Sequence, residues 1–174
     1  MMDPRFPIGE FDFDAPVGAE EVAASIDAIA EHPAALRRAV EGLTDAQLDT
    51  PYRDGGWTVR QVVHHLADSH VNSYTRFRLA MTEEVPTIRP YDEKAWADLP
   101  DARSGPVDVS LRLLEALHER WAVLLRSMAP EDFQRVLHHP DLGNVPLDRN
   151  TALYAWHGHH HVAHITELRR RQGW

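Results

Sequence analysis

The 174-residue chain contains no cysteine. Disulfides, iron–sulfur clusters and thiolate metal sites are therefore excluded, and any bound metal must draw on nitrogen and oxygen ligands. Lysine is also scarce. Lys94 is the single lysine, and the net charge is −9 with histidine neutral. Nonspecific nucleic-acid binding rests on phosphate neutralisation, so no nucleic-acid partner is expected. No apolar run approaches the ~18 residues of a membrane span. The opening Met1-Met2-Asp3-Pro4-Arg5-Phe6-Pro7 lacks the basic and apolar regions of a secretory signal. The expectation is a cytoplasmic chain with no membrane partner. Internal repeats and low-complexity segments are absent too.

What is present is globular in proportion, with 43% hydrophobic and 26% charged residues. The length suits one domain with a real core, taken as residues 1–174. Residues 1–17, with their prolines, glycine and aromatics, read as an extended N-terminal arm over that domain. From Glu20 to Leu43 the residues Val22, Ile26, Ile29, Leu36, Val40 and Leu43 recur at helical spacing, with Pro33 expected to kink or restart the helix. Thr44 to Gln47 reads as a cap and short turn. Asp54-Gly55-Gly56 is a turn signal, and Thr58 stands at an N-cap position before a helix over Val59–Thr82. Val59, Val62, Leu66, Phe77 and Ala80 share one face of it, together with the polar Ser69, His70 and Ser73, which need partners if buried.

A proline-rich connection over 85–107, with a turn of helix near 92–99, precedes a helix over Asp108–Met128. Connections of that length are uncommon unless functional or disordered. Val136 to Leu147 reads as a hairpin. Asp148 or Asn150 is the expected cap of a last helix reaching Arg171, where a run of arginines suits the helix dipole. The expected fold is all-α: a four-helix bundle with a long crossover loop and a short hairpin before the last helix.

The chain has twelve histidines, and they are clustered. His64, His65 and His70 form one group, and His138 and His139 another. His157, His159, His160, His161 and His164 form a third. Residues four apart on a helix share a face, so the last helix offers two candidate pairs, His160 with His164 and His157 with His161. Either pair could hold one side of a metal, with a third ligand from another helix. The positions of Leu153, Trp156 and Glu167 place His160 and His164 nearer the middle of the apolar face, which favours that pair. The third ligand is open between His65 and His70. The pattern is not a zincin, because His160-His161-Val162-Ala163-His164 lacks the glutamate after the first histidine.

The segment from Tyr52 to His70, containing Asp54-Gly55-Gly56-Trp57 and His64-His65-Leu66, closely resembles the YfiT group of the DinB-like superfamily. Pro7-Ile8-Gly9-Glu10, Pro90 to Trp96, and Trp156 to Leu168 match as well. The resemblance implies a DinB-like bundle in which three histidines, matched to His65, His160 and His164, hold one divalent metal per chain, zinc ahead of nickel. It also implies a homodimer and a metal-dependent hydrolase. Three nitrogen ligands with open positions would activate water for hydrolysis of a small-molecule substrate. The same site would ionise a low-molecular-weight thiol, which gives the alternative of a bacillithiol-type thiol S-transferase. A noncatalytic metal-binding module, with His138 and His139 in an intermolecular site, is the third reading. Asp68 and Glu167 are the carboxylates nearest the expected site. Arg53, Arg60 and Arg89 are the cations available to a thiol's carboxylates.

Overall fold

A computed structural model describes residues 3–174. Four long helices dominate it: α1 (Ala19–Val40), α3 (Val59–Thr82), α6 (Val107–Ser127) and α7 (Leu147–Gln172). Between them lie the short helices α2 (Asp45–Leu48), α4 (Glu93–Ala97) and α5 (Pro100–Ser104), and a 3₁₀ turn over Pro130–Gln134. The antiparallel hairpin β1 (Val136–His139) and β2 (Gly143–Pro146) pairs Val136 with Pro146 and His139 with Gly143. The expected all-α bundle with its crossover and hairpin is what the chain forms. Among the described residues, no helix is long and apolar enough to cross a membrane.

Local chemistry explains the sharpest boundary. Thr58 accepts from the Gln61 amide while the Gln61 side chain accepts from the Thr58 amide, a capping box that starts α3 at the expected residue. The start of α7 differs from expectation. Neither Asp148 nor Asn150 caps it; Pro146 occupies the N-cap without a side-chain bond. The hairpin runs straight into the helix, and Pro146, having no N–H, ends the strand without orphaning a donor. Pro33 lies inside α1, and the helix continues through it.

The bundle closes in a ring: α1 packs on α6 and α7, and α3 on the same two helices from the other side. Its interior divides into two apolar clusters. One gathers Ile29, Phe77, Trp121, Leu125, Leu147 and Tyr154; the other gathers Leu36, Val59, Val62, Leu66, Leu114, Ile165 and Leu168. At the change from one cluster to the other, each long helix carries a histidine: His32 on α1, His70 on α3, His118 on α6 and His157 on α7. Ring centroids are 5.0 Å apart for His32 and His70, 4.9 Å for His70 and His118, and 5.3 Å for His70 and His157. The core is thus two oily halves separated by a layer of imidazoles.

Gly158 allows α7 to approach α1 at this layer. A Cβ there would lie 2.7 Å from Nδ1 of His32, closer than side-chain atoms pack.

Candidate metal centre

The centre forms beside the imidazole layer, between α3 and α7. His65, His157 and His161 each direct one ring nitrogen into a common point, all within 4.8 Å of one another. Among the described residues this is the one group of three or more potential ligands that converges in this way. His157 and His161 are the i, i+4 pair of α7. Nε2 of His65 lies 3.3 Å from Nε2 of His157. Two nitrogens bound tetrahedrally at about 2.1 Å from one zinc ion lie roughly 3.4 Å apart, so the spacing fits a shared metal.

His160 and His164 stand elsewhere. His160 stacks on Trp156, with centroids 4.4 Å apart, and its Nδ1 is buried without a partner. His164 stacks on Tyr52 at 4.0 Å, and its Nε2 donates to the Arg5 carbonyl at 3.1 Å. The structure therefore groups His65 with the 157/161 pair instead of the expected 160/164 pair. The physical reason is the seam of α7. Leu147, Thr151, Tyr154, Gly158, His161, Ile165 and Leu168, all buried, form one axial seam, spaced alternately by four and three residues, while His160 and His164 are buried beside it. Leu153 and Trp156, which located the apolar face in the sequence, are only half-buried. His160 and His164 lie on the flank, where the N-terminal arm covers them through Arg5 and Phe6.

His70, the other sequence candidate, is fully buried and bonded on both nitrogens, to His118 Nε2 at 2.8 Å and to His157 Nδ1 at 3.1 Å. His118 in turn places Nδ1 2.5 Å from the Ile29 carbonyl. His118 and His32 carried no signal in the sequence, because each stands alone on its helix. His64 faces away, bonded to Ser110 and the Gly105 carbonyl. His138 and His139 are used within the hairpin, by Asn144 and the Asp141 amide.

The electrostatics suit a metal. Burial lowers the His65 pKa to about 4. Burial and then the neighbouring charge of His65 push His157 well below the ordinary histidine value, and burial and then His157 do the same to His161. All three imidazoles are neutral at pH 7, the form that offers a lone pair. His65 and His161 are buried, whereas His157 keeps partial access to the surface. Trp57, presented by the turn after Tyr52, covers one side, with its ring 4.6 Å from His65 and 6.5 Å from His161.

Asp68 lies three residues beyond His65 on α3, a spacing that puts the two side chains on neighbouring parts of one face. Burial, then the charge of Asp101, raises its pKa to about 6. Glu167 is held by Arg170 at 2.9 Å. Arg60 is buried and engaged by Asp49, Asp45 and the Gly105 carbonyl, so it ties α3 to its neighbours and is no pocket-mouth cation.

A bundle with a three-histidine centre between two of its helices defines a class of metal-binding helical proteins. Residues 28–165 match the family model of the DinB superfamily, and the chain belongs to that superfamily. It is 55% identical over 170 residues to Bacillus subtilis "Putative metal-dependent hydrolase YfiT", covering 97% of this chain and 96% of that one. A Bacillus cereus protein, also named a putative metal-dependent hydrolase, is 54% identical over 174 residues, and the match covers both chains completely. A solved structure described as YfiT from Bacillus subtilis, a probable metal-dependent hydrolase with an unusual four-helix bundle topology, superposes with a TM-score of 0.96. It is 54% identical and covers 99% of each chain.

Proposed function

We propose that the chain is a metal-dependent hydrolase acting on a small-molecule substrate, with one divalent ion, zinc or nickel, held by His65, His157 and His161. The convergence of three neutral imidazoles carries this reading, and the names borne by its relatives support it. With all-nitrogen ligands and positions left open, such an ion supplies Lewis acidity and activates water near neutral pH.

The chain's own groups do the rest. His65 fixes the centre to α3, and the 157/161 pair fixes it to α7. Trp57 shields one flank from solvent. Asp68, one turn beyond His65 on α3 and raised by burial to a pKa of about 6, is the carboxylate we assign to proton exchange, a role best served by a pKa near the working pH.

The test is metal content of the purified protein by elemental analysis. The wild type and His160→Ala are expected to carry one equivalent. His65→Ala, His157→Ala and His161→Ala are each expected to lose it. Retention of a full, tightly held equivalent by any of these three removes that residue from the ligand set. Turnover of an ester or amide panel by the loaded protein without added thiol supports hydrolysis. Conjugation of an electrophile that needs both thiol and metal assigns a thiol S-transferase instead, and neither activity would leave a noncatalytic module.

A further inference from the structure

We infer that His118 with His70, and separately His164, are positioning residues: two chains of hydrogen bonds, each anchored on a backbone carbonyl, lock His157 and His161 in the tautomer that leaves Nε2 free for the metal. This rests on the ligand set proposed above.

The first chain begins at a defect in α1. Pro33 has no N–H, so the carbonyl of Ile29, four residues earlier, lacks its helical donor. Nδ1 of His118 fills the vacancy. A carbonyl only accepts, so His118 carries its proton on Nδ1 and presents a lone pair at Nε2. Nδ1 of His70, 2.8 Å away, must donate to that lone pair. Nε2 of His70 is then an acceptor, and Nδ1 of His157, 3.1 Å away, donates to it. Nε2 of His157 is left unprotonated, facing His65. The chain crosses all four long helices.

The second chain has the same logic. Nε2 of His164 donates to the Arg5 carbonyl at 3.1 Å. Nδ1 of His164 is therefore an acceptor, and Nδ1 of His161 donates to it at 3.3 Å. That leaves Nε2 of His161 unprotonated as well.

The deduction requires every ring to be neutral, with one N–H and one lone pair. The surroundings provide this: His70, His118, His161 and His164 are buried and bond only to one another, to His157 and to the two carbonyls, so a second proton on any ring would be a buried charge with no carboxylate to pair with. Partners of this kind on the far nitrogen of a ligating histidine set its tautomer and orientation.

The test begins with the metal-free, 15N-labelled full chain at pH 7.5, using long-range proton–nitrogen correlation of the histidine rings. His118, His70, His157 and His161 are expected as Nδ1–H tautomers and His164 as Nε2–H. An Nε2–H tautomer at His157 or His161 overturns the inference for that chain. This readout needs no metal, so it decides the inference even where the wild type takes up none, a result that would sink the proposed function alone.

Metal titration of variants follows. His118→Leu removes the acceptor for His70 and is expected to weaken binding about 10- to 100-fold. His118→Gln, whose amide oxygen restores that acceptor, is expected to recover most of the loss. His164→Leu and His164→Asn form the matching pair. Equal affinity in wild type and both leucine variants overturns the proposal, as does equal loss in leucine and amide variants that melt like wild type. Where a leucine variant fails to fold, the wild-type tautomers stand as the deciding measurement.

Discussion

His32 gives the most quantitative test of the imidazole layer. Both its ring nitrogens are buried without a partner, and the residue is 3% exposed. Burial, then the charges of His118 and His159, lowers its pKa from 6.5 to about 3. The unfolded chain therefore takes up a proton below about pH 6.5 that the folded chain refuses until near pH 3. Stability is fully present above the unfolded pKa and is lost as pH falls through that window, at about 1.4 kcal/mol per unit. Between about pH 7.5 and 5.0 this integrates to roughly 2 kcal/mol from His32 alone. That is a large share of the ~5–15 kcal/mol that holds a typical domain together. Leucine has nearly the same volume and no proton to bind. Denaturant unfolding of the chelator-treated protein, wild type against His32→Leu, reads the difference directly. The variant is expected to be more stable at pH 7.5, because an unsatisfied buried polar group costs ~1–3 kcal/mol. Its advantage should then widen by about 2 kcal/mol at pH 5.0. Parallel pH curves for the two proteins would refute the reasoning, since the titrating group would then be solvated or paired in the folded state.

Three further outcomes are expected. Gly158→Ala forces a Cβ to within 2.7 Å of His32 Nδ1, and chemical denaturation should show a loss of about 1–3 kcal/mol. Zinc or nickel at a hundredfold excess over Kd should stabilise the fold by about 2.7 kcal/mol, visible as a rise in Tm that chelation reverses, that His161→Ala abolishes and that His160→Ala keeps. Asp68→Asn should lower kcat of the loaded hydrolase by about 100-fold or more while leaving metal content unchanged; unaltered turnover would remove Asp68 from the proton transfer.

Much of this architecture is legible in the sequence, for identifiable reasons. The Thr58–Gln61 capping box and the spacing of Val59, Val62, Leu66 and Phe77 place α3 accurately, because local bonds and burial agree there. The chemistry of the site is legible too, as histidines crowd two helices of a chain without cysteine. The choice between two overlapping i, i+4 pairs is not. It depends on the rotation of α7, and Leu153 and Trp156 misreport that rotation because the seam there is filled by Gly158 and His161. Nor could sequence spacing show that the arm would seat Arg5 against His164, across 159 residues. His32 and His118 meet only once α1 and α6 are packed together.

The imidazole layer also governs how the helices can slide. Apolar faces are forgiving along the bundle axis, since a leucine displaced by one turn meets another leucine. A hydrogen bond of 2.8 Å between His70 and His118 does not survive a one-turn displacement of about 5.4 Å, which would leave two imidazoles stranded in hydrocarbon. The layer therefore acts as an axial stop, selecting one alignment of α1, α3, α6 and α7 from several that the oily halves alone would tolerate. Volume-conserving apolar exchanges in either cluster are therefore expected to leave the height of the centre unchanged, because the stop and not the clusters sets it.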